Sequence, residues 1–107
     1  MDTSRIRELN DAFRKSFVGG RVVMTAAVAA MDDSDRAAVL VKMQSFDAFD
    51  RDNDPYGEHD FVEVEHGGER YFGKIDYYAP DLRSGSENAA DPLDTVRVLT
   101  IMRADEY

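Results

Sequence analysis

Gly67-Gly68 is flanked by alternating residues on both sides, Phe61-Val62-Glu63-Val64-Glu65-His66 before it and Glu69-Arg70-Tyr71-Phe72-Gly73-Lys74-Ile75-Asp76-Tyr77-Tyr78 after it. Glycine tolerates positive φ, so the pattern predicts a β-hairpin closed by a two-residue turn of type I′ or II′. A turn of that length leaves the strands no choice of register. His66 is paired with Glu69, Glu65 with Arg70, Val64 with Tyr71 and Val62 with Gly73. One face of the hairpin is then apolar, made by Val62, Val64, Tyr71, Ile75 and Tyr77. The other face is mixed, with Phe61, Glu63, Glu65, Arg70, Phe72 and Lys74, and Glu65 is expected to pair with Arg70 at the surface.

The apolar face has to be covered by other elements, and the rest of the chain offers two helices. Ile6, Leu9, Phe13 and Phe17 recur at spacings of three and four, which predicts a first helix capped by Thr3 or Ser4 and ended by Gly19-Gly20, with Arg5, Arg7, Arg14 and Lys15 mostly elsewhere on its surface. Arg21 to Thr25 reads as a short strand that runs on irregularly into Ala26 to Ala30. Asp32, Asp33 and Ser34 supply capping oxygens for a second helix, whose apolar stripe is Val39, Leu40, Met43 and Phe46. Residues 46 to 60 break the helical pattern around Asn53-Asp54-Pro55-Tyr56-Gly57 and form an ordered loop. After a second long connection, Ala79 to Pro92, the β-branched run Thr95 to Arg103 favours a last strand over a helix. The expected fold is α+β in the order α-β-α-β-β-β: a single domain, residues 1–107, with an antiparallel sheet and both helices on one face.

The chain has no cysteine, which excludes a disulfide framework, a thiolate zinc site and a cysteine nucleophile. Charges interrupt Met1 to Lys15, and Val22 to Met31 is far short of the ~18 apolar residues a membrane span needs, so the expectation is a cytoplasmic protein without a membrane partner. With 43% hydrophobic residues the chain lies outside the disordered class. A formal net charge of -9 argues against direct contact with nucleic acid, whose phosphates demand cations.

That charge is concentrated. Phe46 to His66 carries Asp47, Asp50, Asp52, Asp54, Glu58, Asp60, Glu63 and Glu65 against Arg51 alone, a local balance of -7. Three chemistries compete for it. Asp50, Asp52 and Asp54 alternate like the first ligands of a calcium loop, but Pro55 stands at the glycine position and Phe61 at the bidentate one, so the match to an EF-hand fails there. Glu58, His59 and Asp60, joined by Asp76, make the alternative reading, a metal-dependent hydrolase or nuclease. His66, beside the turn, is expected to be solvated, and no serine sits in a nucleophile elbow. A second account is structural, with Asp and Asn side chains bracing turns, but such bracing uses only a few carboxylates. The third is a surface for a basic partner: Asp50, Asp52, Asp54, Glu58, Asp60, Glu63 and Glu65 supply the charge, and Tyr56, Phe61 and Phe72 the apolar anchors.

The runs Phe46-Asp47-Ala48-Phe49-Asp50-Arg51-Asp52-Asn53-Asp54-Pro55-Tyr56-Gly57-Glu58-His59-Asp60-Phe61, Lys74-Ile75-Asp76-Tyr77-Tyr78 and Arg97-Val98-Leu99-Thr100-Ile101-Met102, with Gly19-Gly20-Arg21-Val22-Val23, resemble a family of short proteobacterial proteins. It is a domain of unknown function often carried on plasmids and other mobile elements. The chain departs from the family pattern at Gly73, where an aromatic is usual, and at Arg103. Opposite Val62, Gly73 is expected to thin the core or mark a bulge. The resemblance implies a counter-defence role such as anti-restriction or anti-CRISPR activity. The reading is therefore a non-enzymatic interaction module that inhibits a nucleic-acid-binding complex, with no cofactor, metal or catalytic residue. Thr95 to Arg103, as an exposed strand, or the Phe61 and Phe72 face is a possible contact in a homo-oligomer.

Overall fold

The hairpin forms in the register the turn dictates. In a computed structural model that describes residues 2–107, β2 (Phe61–His66) and β3 (Glu69–Tyr78) pair antiparallel from His66 opposite Glu69 to Phe61 opposite Lys74. Gly67 and Gly68 have φ of 60° and 81°, the signs a type I′ turn requires. Val62, Val64, Tyr71 and Ile75 are buried on the apolar face. On the other face Arg70 pairs with Glu63 at 3.0 Å rather than with Glu65, so the diagonal neighbour wins over the directly opposed one.

The remaining elements are α1 (Thr3–Ser16), β1 (Gly20–Met24), a one-turn helix α2 (Ala26–Ala29), α3 (Asp33–Ser45), β4 (Val96–Arg103) and a final 3-10 turn (Ala104–Glu106). The α+β class and the order of the main elements are those expected, with α2 added where the alanines were read as irregular. The sheet is not purely antiparallel. Its strand order is β1-β4-β3-β2, and β1 lies parallel to β4, Gly20 beside Arg97 and Met24 beside Ile101. β4 is consequently a central strand between β1 and β3, which removes it as an exposed edge for self-association. The free edges belong to β1 and β2.

Both long helices lie on one face. Phe13 of α1 and Val39 and Met43 of α3 join Val28, Val62, Val64, Tyr71, Ile75, Leu99 and Ile101 in one core. The caps are aspartates: Asp32 accepts from the Asp35 N–H of α3 at 2.9 Å, as its position suggests. For α1 the cap is Asp2, accepting from Arg5 N–H at 3.0 Å; Thr3 already belongs to the helix, which displaces the expected Thr3 or Ser4 cap. The helix stops three residues before Gly19, through Phe17 in the left-handed region at φ 59°. At the other end of the chain, Glu106 accepts from Thr25 Oγ1 at 2.6 Å and from Ala27 N–H at 3.0 Å, tying the 3-10 turn to the start of α2.

Gly73 neither bulges the strand nor thins the core. The pairing runs unbroken through it on both sides, and Met43 lies over it: a Cβ at this position would stand 2.8 Å from Met43 Sδ and 3.0 Å from Val62 Cγ2. Gly73→Ala is expected to destabilise, since overpacking of about 1–3 kcal/mol exceeds the ~0.4–1 kcal/mol gained by restricting the unfolded chain. Urea melts of Gly73→Ala, Met43→Ala and the double variant test the contact. The double variant should lose less than the two single losses added, and strict additivity would rule the contact out.

Candidate functional site

The loop between α3 and β2 is braced by its own side chains. Asp50 Oδ1 accepts from the N–H groups of Asp52 and Asn53, both at 2.9 Å, while Asn53 Oδ1 accepts from Asp50 N–H and its amide donates to Ala48 O, also at 2.9 Å. Asp54 Oδ1 accepts from His59 N–H at 3.1 Å, which holds His59 in the left-handed region at φ 56°. Gly57 at φ 70° completes the turn.

From α1, Arg7 donates to Gly57 O at 3.0 Å and Asn10 to Glu58 O at 2.9 Å. His59 lies between two carboxylates, 2.9 Å from Asp11 and 3.5 Å from Asp54, with its ring stacked on Phe49 at 3.7 Å between centroids. Tyr77 donates to Glu58 Oε1 at 2.6 Å and receives from Asn10 at 2.8 Å, so burial and the Glu58 carboxylate both push the phenol above its ordinary value.

The ten residues expected to meet a partner therefore separate. Asp54 and Glu58 turn inward and bond to His59 and Tyr77, and Asp60 is half-buried. Asp50 spends one oxygen on the turn and stays exposed; Asp52, Tyr56, Glu63 and Glu65 face solvent. Phe61 and Phe72 come together on the sheet face away from the helices, 5.0 Å between centroids, and Tyr107 packs against both at 5.8 and 5.6 Å. A cavity of about 430 Å³ opens where the loop meets β2, lined by Phe46, Ala48, Asp52, Asn53, Phe61 and Glu63. His66 is not simply solvated: its Nε2 lies 2.8 Å from Asp35, tying the hairpin end to α3.

Asp11 and Tyr107 are the contributors that sequence patterning passes over. Asp11 reads as one more polar position of α1, and Tyr107 follows the last strand with no periodic partner. Glu58 and His59 direct their polar atoms to Tyr77, Asp11 and Asp54, and among the described residues no group of three His, Cys, Asp or Glu side chains is arranged to hold a metal ion.

Residues 24–106 match the family model of a protein of unknown function, DUF3768. The chain belongs to this family. All ten expected contact residues lie within the DUF3768 span, whereas α1, which braces the loop through Arg7, Asn10 and Asp11, lies before it. No curated protein and no solved structure matches the chain. No helix among the described residues is long and apolar enough to cross a membrane.

Asp60 is half-buried and its carboxyl sits above the ordinary value of 3.8, chiefly through desolvation, with Glu58, Asp54 and Asp76 adding repulsion. A raised carboxyl favours the folded state fully only below 3.8, and that contribution is lost as pH rises through the folded-state value. Asp60→Asn is thus expected to melt higher than the parent at neutral pH and to converge with it below 3.8. A lower melting temperature for the variant at neutral pH would contradict this account.

Proposed function

We propose that the protein is a non-enzymatic interaction module whose outward carboxylates take a basic protein surface. What supports this reading is the division within the loop. Asp54 and Glu58 are bonded to His59 and Tyr77 and Asp60 is half-buried, but Asp50, Asp52, Glu63 and Glu65 present charge to solvent beside Phe61 and an open cavity, Glu63 in an exposed pair with Arg70. Carboxylates spaced along a loop and strand resemble a run of backbone phosphates to an incoming Arg or Lys, and they speed its encounter. The finer form of the proposal is inhibition of a nucleic-acid-binding host or defence complex in the cytoplasm, of the anti-restriction or anti-CRISPR kind.

Capture from a cell lysate tests it, comparing the parent with a variant carrying Asp50→Asn, Asp52→Asn, Glu63→Gln and Glu65→Gln. Asn at position 50 keeps the oxygen that braces the turn, so the loop is retained. Exposed ion pairs contribute roughly 0.5 kcal/mol each, which for four amounts to a loss of about 30-fold in affinity. Nucleic-acid-binding proteins should be recovered by the parent, released by added duplex DNA, and missed by the variant. Equal recovery by both would end the proposal.

A further inference from the structure

Strand β2 is an edge of the sheet, and half of its backbone polar groups face away from β3. Asp60 C=O accepts from Ile75 N–H of β3 at 2.8 Å, and alternation along the strand then turns the N–H and C=O of Phe61, Glu63 and Glu65 away from β3. On that outer side Lys42 of α3 donates to Glu65 O, which closes one end of the edge. Phe61 and Glu63 have no backbone partner there among the described residues, and both line the cavity of about 430 Å³. Unpaired strand groups inside a cavity are a template for another extended chain.

The charge around this edge selects the chain. Asp52 and Glu63 line the cavity, with Asp50 exposed on the same loop; no Lys or Arg is among the lining residues, and the one cation on Glu63 is Arg70, in an exposed pair at 3.0 Å that an incoming Arg or Lys has to displace or share. Phe46, Ala48 and Phe61 supply its apolar part. We infer that an extended basic segment of a partner protein adds to the sheet as a fifth strand beside β2, its Arg or Lys side chains on the face of Phe61 and Glu63 meeting Asp52 and Glu63, and its alternate apolar side chains on the opposite face, where Phe46 packs against the core. This rests on the reading of the acidic surface as a binding site and specifies how that site grips its partner. A folded basic surface without a free strand would meet the same charges without using the edge.

A capped hexapeptide alternating arginine with valine is the probe, titrated onto the full chain. Antiparallel and parallel pairing alike use the backbone of alternate residues only. N-methylation of one alternate set of the peptide should therefore abolish binding, while methylation of the other set leaves it within a few-fold. Hydrogen exchange at the Phe61 and Glu63 amides should slow by about tenfold or more on binding, and Asp52→Asn with Glu63→Gln should weaken the peptide about fivefold. Equal effects of the two methylated peptides, unchanged exchange at Phe61 and Glu63, or no binding of the peptide overturns strand addition. If binding still depends on Asp52 and Glu63 while the two methylated peptides behave alike, strand addition falls and the acidic surface stands; if binding is indifferent to both carboxylates, the two readings fall together.

Discussion

Replacing Arg14 with methionine is expected to lower the free energy of unfolding by about 3–5 kcal/mol, the range for removing one partner from a buried charged network. Arg14 is 1% exposed and lies at the far end of another helix's problem. α3 ends at Ser45 with Phe46 in an extended conformation, so no left-handed residue folds back to satisfy its last carbonyls. The Arg14 guanidinium does so from α1, donating to Met43 O at 2.8 Å, Gln44 O at 3.4 Å and Phe46 O at 2.9 Å, with Asp11 at 3.2 Å and the Phe49 ring 5.4 Å away. Its positive charge also suits the negative end of the helix. Methionine fills similar space but donates nothing, leaving those carbonyls dry. Arg14→Lys should recover only part of the loss, because an ammonium has no planar fork to span three acceptors. Urea unfolding with an unchanged m-value measures both variants. A loss below about 1 kcal/mol for methionine would mean that water replaces the guanidinium at the helix end.

The second large effect is expected at Arg97, 3% exposed on the central strand. Its Nε donates to Asn10 Oδ1 at 2.8 Å, its Nη2 to Ala89 O, and the guanidinium lies over the Tyr77 ring at 5.3 Å. Burial lowers its pKa below the usual arginine value, but arginine stays charged at any pH where the protein is folded. One side chain thus joins β4 to α1, to the connection before β4, and to β3. Arg97→Met should cost about 3 kcal/mol, since it strands an amide oxygen and a carbonyl in the interior. A double-mutant cycle with Asn10→Ala isolates the link to α1: a coupling of about 1–2 kcal/mol is expected, and a coupling near zero would remove Asn10 as the anchor.

These two arginines also mark the limit of what is legible in the chain. The hairpin could be read to the residue pair because a two-residue glycine turn couples local geometry to register, and the α3 start because Asp32 caps within three residues. In contrast, periodicity assigns charged residues to the outside of a helix, yet Ile6, Asn10 and Arg14 stand at spacings of four and share one buried face. The signal is present in the spacing, but the partners that make it favourable are distant in sequence: those of Arg14 lie at the end of α3 and just past it, 29 to 32 residues on, and those of Asn10 are Glu58, Tyr77 and Arg97. Parallel pairing of β1 with β4 has no local signature either, since the register is carried by elements between them. In the candidate site, the count of acids singles out the loop, but composition does not say which carboxylates are spent internally. Asp54 and Asp52 are two residues apart and alike in chemistry; only the fold separates one bonded to His59 from one lining the cavity.

The strand order carries a consequence for synthesis. β1 leaves the ribosome before the other three strands, and its one neighbour in the sheet, β4, comes after every one of them. Until β4 emerges, β1 has no backbone to pair with, and the hairpin lacks the strand that joins it to β1. The sheet therefore assembles only after the whole of β4 is translated, and Val22, Val23 and Met24 wait exposed for that interval. Ribosome-bound chains that end short of Val96 should hold a hairpin and helices at most, and should be the most protease-sensitive and aggregation-prone forms of this protein in the cell.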